Sequence, residues 1–237
     1  MTTEIQKVEN TQLARPSYIP QGAEGTEHLR KEDLQLPRLA LAQQMSPQLL
    51  EGDPKFVTGL KFGDLFNTLT GDVYGKGPIS FAVIRADAPR GVEFNPLSEG
   101  GGVKDFHVPL TDPRMLFGPN GEKPIATKFY DYILILLPQK EMVALSLKSS
   151  ALTVAKQLNA LMKFRRSPVW TGLYTLTTSV QKNAKGSFAV YQVKNSGWVP
   201  ENEIPFFQSA FDGVRDKELV VDREPGEDDD ADLPEHA

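Results

Sequence analysis

Residues 129–193 read FYDYILILLPQKEMVALSLKSSALTVAKQLNALMKFRRSPVWTGLYTLTTSVQKNAKGSFAVYQV. Positions 129–137 are a nearly unbroken apolar run, 138–141 a short turn, and 142–147 a second strand. Over 150–164 the period becomes helical. Ala151, Val154, Ala155, Leu158, Leu161 and Met162 recur on one stripe, with Ser149 or Ser150 placed to cap the N-terminus. Positions 171–181 and 187–194 are rich in β-branched and aromatic residues and flank the turn Lys182-Asn183-Ala184-Lys185-Gly186. Upstream, Ile79, Phe81 and Val83 alternate along 79–86, which predicts a first strand that 92–95 can continue. Three strands, a helix and two strands is the order of an OB barrel, although several small α+β folds share it. The expected fold class is mainly β: an OB-fold-like five-stranded β-barrel, a helix between strands three and four, and accessory helices. Phe207, Ala210, Phe211 and Val214 predict a closing C-terminal helix over 203–215.

The same stretch concentrates charge. From Lys123 to Lys194 there are eleven Lys and Arg against Asp131 and Glu141, a surplus of nine in a chain whose formal net charge is -5. Ordinary surfaces intersperse both signs, whereas a phosphate-facing surface excludes acids. The average is masked by residues 222–237, where eight acids stand against Arg223. The remaining 221 residues carry +2, so the pI near 5.3 does not argue against a nucleic-acid partner.

The 237 residues, 40% hydrophobic, suffice for one substantial core. No apolar run reaches the roughly 18 residues of a membrane span, and the N-terminus lacks the pattern of a secretory signal. Cysteine is absent, which excludes disulfides and thiolate metal sites and fits a cytoplasmic location, the host bacterial cytoplasm if the protein is viral. Residues 1–36 read as a mobile N-terminal arm, 37–221 as one domain, and 222–237 as a disordered acidic tail. Positions 56–69 form an apolar prelude that packs on the barrel. Positions 96–128, rich in Gly and Pro, form a long connection of the kind that holds oligonucleotides between strands one and two.

No enzyme site is legible. His28, His107 and His236 stand apart from one another. Gly71-Asp72-Val73-Tyr74-Gly75-Lys76-Gly77 has one residue too few between glycines and no Ser or Thr after the lysine, so it is not a phosphate loop. No metal and no cofactor is expected. The positive signal is basic residues interleaved with aromatics, which grip single strands by phosphate and by base. Lys128, Lys156, Lys163, Arg165, Arg166, Lys182, Lys185 and Lys194 are the candidate cationic track. Tyr174 and Tyr191 are either stacking residues or core. Phe129, Phe164, Phe188 and Trp198 are assigned to the core, and Trp170 either stacks or anchors the turn after the helix.

A basic OB-like core with a strongly acidic C-terminal tail resembles the single-stranded DNA-binding proteins of tailed bacteriophages. The segments Leu36-Pro37-Arg38-Leu39…Ser46-Pro47, Pro168-Val169-Trp170…Tyr174-Thr175-Leu176 and Gly197-Trp198-Val199-Pro200 carry the likeness. The resemblance covers roughly residues 36–237. It implies a non-enzymatic protein that coats single-stranded DNA during phage replication and recombination. It also implies that the tail, through Asp228, Asp229, Asp230 and Asp232, recruits replication proteins and competes with DNA. The tail ends Pro234-Glu235-His236-Ala237 where the best-known members end in an aromatic residue, so their docking mode does not carry over. A virion or scaffold component touching DNA and a strand-annealing recombinase are the alternatives. No membrane partner is expected, and homo-oligomerisation is left open.

Overall fold

A computed structural model of the protein describes residues 35–96, 98, 100–183 and 186–217. The expected arm up to residue 34 and the expected acidic tail, with the four aspartates expected to meet partners, lie outside the described residues, as does Lys185. In chain order the strands are β1 (Leu39–Leu41), β2 (Leu65–Asn67), β3 (Val73–Gly75), β4 (Ile79–Ala86), β5 (Arg90–Phe94), β6 (Val103–Val108), β7 (Ala126–Leu137) and β8 (Glu141–Lys148). Helix α1 (Leu152–Phe164), strands β9 (Gly172–Asn183) and β10 (Gly186–Trp198), and helix α2 (Ile204–Val214) follow.

Twelve-residue β7 organises the main sheet. Leu134 pairs with Val83 on one side and Val143 on the other, and Phe129 pairs likewise with Arg90 and Lys148. Strands β4 and β5 therefore run along one edge of β7 as a single interrupted strand, with β8 on the other edge. Strand β9 pairs with the free side of β4, and β10 with β9. The order β10-β9-β4-β7-β8 joins the five strands expected from the sequence, with β6 added beside β5.

The expected closed barrel is not formed. No backbone ladder joins β8 to β10 among the described residues, and the segment before β2 lies across the gap instead. Its Pro37 carbonyl accepts from the Ala144 amide of β8 at 2.8 Å. Its Gln43 side chain donates to the Ala189 carbonyl of β10 at 2.9 Å and accepts from the Ala189 amide at 3.0 Å. One side-chain amide thus satisfies both backbone groups of Ala189, as a strand partner would have done there.

Alternation along β7 separates two apolar layers. Tyr132, Leu134 and Leu136 face a core with Phe81, Val143, Leu145, Tyr174 and the α1 residues Ala155 and Leu158. Ile133 and Ile135 face the opposite layer with Ala82, Ile84, Trp170, Phe207 and Val214, which α2 covers. Fully buried Phe207 alone contributes about 1.5–3 kcal/mol to that docking. Trp170 lies in the short 3-10 turn Val169–Thr171 and anchors it there.

The prelude is a small sheet of its own, β1-β2-β3, over Ala40, Ala42, Leu60 and Phe66. Buried Asn67 donates to Glu141 at the start of β8, and the Tyr74 hydroxyl donates to the same carboxylate at 2.6 Å. The long connection is more ordered than its composition suggests. It contains β6 and a 3-10 turn, Pro113–Met115. The helix starts later than expected, on Ala151 after a 3-10 turn over Ser149–Ala151, and neither serine makes a side-chain cap bond.

Candidate nucleic-acid interface

Helix α1 lies beside β10. Gln157 donates to the Val193 carbonyl, and at the end of the helix Arg165 donates to the Gly197 carbonyl. The helix and the two residues after it carry Lys156, Lys163, Arg165 and Arg166, and β10 carries Lys194. Lys156, Lys163, Arg166 and Lys194 are exposed. From residue 142 to residue 200 the chain contains no Asp or Glu.

Arg165 is not a free phosphate ligand. Its guanidinium lies between two rings, 4.8 Å from the Tyr174 centroid and 4.5 Å from that of Trp198. It donates to the carbonyls of Gly197 and Leu173 and to the Asn195 side chain, while Nε is buried without a partner. All three acceptors are neutral, so the positive charge stays uncompensated although most of its donors are occupied. Gly172 makes room for this packing. A Cβ there would stand 2.6 Å from the Tyr174 hydroxyl and 2.7 Å from an Arg165 terminal nitrogen.

Tyr174 is corrected from a stacking candidate to core, since its side chain is fully buried and its ring packs on Phe81 at 5.6 Å. Its hydroxyl makes no hydrogen bond, and burial raises its pKa, with Arg165 opposing the rise. Tyr191 is half-buried against the same core. Two aromatics assigned to the core are instead exposed. Phe164 is 82% accessible and Trp198 57%. Phe188 is buried, as expected.

The remaining candidates lie elsewhere. Lys182 sits at the far end of β9, paired with Ser187, ten residues or roughly 33 Å of strand from Gly172. It is separated from the helix flank rather than extending it. Lys128 stands on β7 over the Tyr130 ring at 4.9 Å. Nearby, the outer face holds a second aromatic and cationic group that the sequence did not single out. Half-buried Phe94 and Phe129 lie 6.1 Å apart, with the Lys148 ammonium 5.4 and 5.6 Å from their rings. Arg90 stacks on Phe129 and pairs with Asp131 at 2.7 Å.

A helical wheel contains the signal for the first group. Arg165 stands seven residues after Leu158, so it falls within about 20° of the buried stripe, whereas Phe164 lies about 120° from it. Trp198 had no comparable signal, because the β10 register resets at a bulge between Asn195 and Gly197.

Among the described residues no cluster of three His, Asp or Glu could hold a metal ion, and no helix is long and apolar enough to cross a membrane. Neither a curated protein nor a solved structure matches the chain. A family model described as Pam3 phage gp34-like protein matches residues 8–218, most of the chain, and the protein belongs to that family of phage proteins.

Proposed function

We propose that the protein is a non-enzymatic, sequence-tolerant single-stranded DNA-binding protein acting in phage DNA replication and recombination. The observation that carries this reading is a pair of exposed rings, Phe164 and Trp198, in an acid-free stretch of sequence that also exposes Lys156, Lys163, Arg166 and Lys194. Unstacked bases need aromatic faces and their phosphates need cations, and only a single strand offers both at once. The strand order with α1 after the third strand supports an OB-like architecture whose seam between strands three and five is opened and bridged by Gln43.

The test is an anisotropy titration of single-stranded, duplex and RNA oligonucleotides over a range of salt. Single-strand affinity is expected to fall with salt at roughly -0.7 logarithmic units per phosphate contact. Emission of exposed Trp198, one of two tryptophans in the chain, is expected to be quenched by stacking. Equal affinity for duplex of the same length, or no salt dependence, rejects the reading.

A second reading, a virion or scaffold component, draws on the connection before β7. Leu116, Phe117 and Ile125 there are each 60% or more exposed. Co-sedimentation with phage particles rather than with single-stranded DNA would favour it.

A further inference from the structure

Between the end of α1 and the end of β4 lies an open cleft of about 860 Å³, lined by Ala86, Asn159, Met162, Lys163, Arg166 and the Ser167–Val169 turn. Met162, Pro168 and Val169 make part of its lining apolar. Its two charged residues are both cations, and no acid lines it. Asp87, next in sequence to Ala86, is engaged by Arg85 at 2.8 Å. Asn159 accepts from the Tyr132 hydroxyl at 2.9 Å through Oδ1, which leaves its amide nitrogen to donate. Arg166 holds a left-handed backbone, φ 53°, at the first position past the helix cap. Glycine normally stands there, and a side chain costs about 1–2 kcal/mol. Strain of this kind, at a residue that lines a cleft, points to use of its side chain.

We infer that this cleft is a nucleotide subsite that receives one unit of the bound strand. The phosphate meets Lys163 and Arg166, and the base lies on Met162, Pro168 and Val169 with its edge at the Asn159 amide. A lining that combines apolar residues with two cations fits a nucleoside monophosphate better than a bare anion or a wholly apolar ligand. The inference rests on the single-strand reading above; Lys163, which lines the cleft, is followed directly by exposed Phe164.

The experiment uses the full chain with its five methionines methyl-labelled, the Met162 signal being assigned by Met162→Leu. Probes are thymidine monophosphate, thymidine, inorganic phosphate and a short oligothymidylate. The Met162 methyl is expected to shift with the monophosphate and the oligonucleotide, and much less with thymidine or phosphate alone. Arg166→Gly, which suits the left-handed backbone, and Lys163→Gln should each weaken monophosphate binding roughly tenfold, the loss of one charge-assisted hydrogen bond. Ala86→Trp, at an exposed rim position, should block the shift without disturbing the fold. A Met162 signal unmoved by monophosphate and by an oligonucleotide that anisotropy shows to be bound overturns the subsite and leaves the single-strand reading standing. Absence of oligonucleotide binding by anisotropy is the separate failure of that reading.

Discussion

Two helical turns separate Arg165 from Leu158, so α1 carries a guanidinium down its apolar stripe to the rings of Tyr174 and Trp198. Three neutral acceptors orient it there, and Lys could not reproduce that planar fork. Its work is positional: it fixes one face of Trp198 and leaves the ring 57% open. Trp198→Ala is therefore expected to cost single-strand affinity on the order of 1–3 kcal/mol, the worth of a base stacked on an aromatic. Phe164→Ala should do the same with almost no change in unfolding midpoint, because that ring is already exposed. Parallel anisotropy and thermal-melt measurements check both, and unchanged affinity in both variants would remove the rings from the interface. Gly172→Ala tests the packing beneath. Its new methyl group would meet the rigidly buried Tyr174 hydroxyl, so a stability loss of about 1–3 kcal/mol is expected, as for other overpacked cores. Movement of Arg165 should also shift Trp198 emission, and a fully stable variant with native emission would refute this account.

At the scale of elements, Arg114 holds the connection before β7 onto the sheet. From the turn Pro113–Met115 it donates to Asp112, Glu93 and Asp105, and Lys104 also donates to Glu93. Hydrogen bonds from Lys104 and Arg114 hold the Glu93 carboxyl below its ordinary pKa. The His107 amide and Arg114 do so for Asp105, and Arg114 for Asp112. Depressed folded-state values mean stabilisation that is complete above the ordinary carboxylate range, about pH 4, and lost as pH falls through the lower folded values. Arg114→Gln should consequently lower the melting temperature at pH 7, and the gap to the parent should narrow below about pH 4. A gap independent of pH would show that the carboxylates do not depend on Arg114.

That network also explains what could be read from the sequence. Strands β4, β7 and β8 carry long apolar runs and both helices carry one-sided apolar stripes, patterns that survive any tertiary arrangement. Strand β6, Val103-Lys104-Asp105-Phe106-His107-Val108, carries charges whose partners are distant in sequence, so it reads as loop until Arg114 and Glu93 are seen beside it. The three-residue strands β1 to β3 are too short to show a period. In the candidate site the cations were legible from charge counting. The exposed rings were not, because an aromatic residue looks the same in a core and on a ledge, and Arg165 took the inward place that Phe164 was expected to fill.

For the whole molecule, the remaining question is where the acidic C-terminus goes. Arg85, at the end of β4, donates to the carbonyls of Val214 and Lys217, both at 2.7 Å, and so fixes the point where the described chain ends. Ala86, the next residue, lines the cationic cleft. From Lys217 to Asp222 is five residues, at most roughly 18 Å of extended chain. Eight acids follow in residues 222–237, on the same chain as Lys163 and Arg166. Opposite charges on one chain meet at high effective concentration, so even a weak contact competes with an incoming phosphate. The plain alternative is an acidic segment that only aids solubility. Salt separates the two, because the Debye length shrinks from about 30 Å at 0.01 M to about 10 Å at 0.1 M. Deleting residues 222–237 is expected to tighten single-strand binding most at low salt and progressively less as salt rises. The same deletion should shift the Met162 methyl in the free protein at low salt, since the competitor leaves the cleft that Met162 lines. Equal affinities for the full chain and the truncated chain at low salt would assign the segment to solubility and leave the cleft open to DNA at all times.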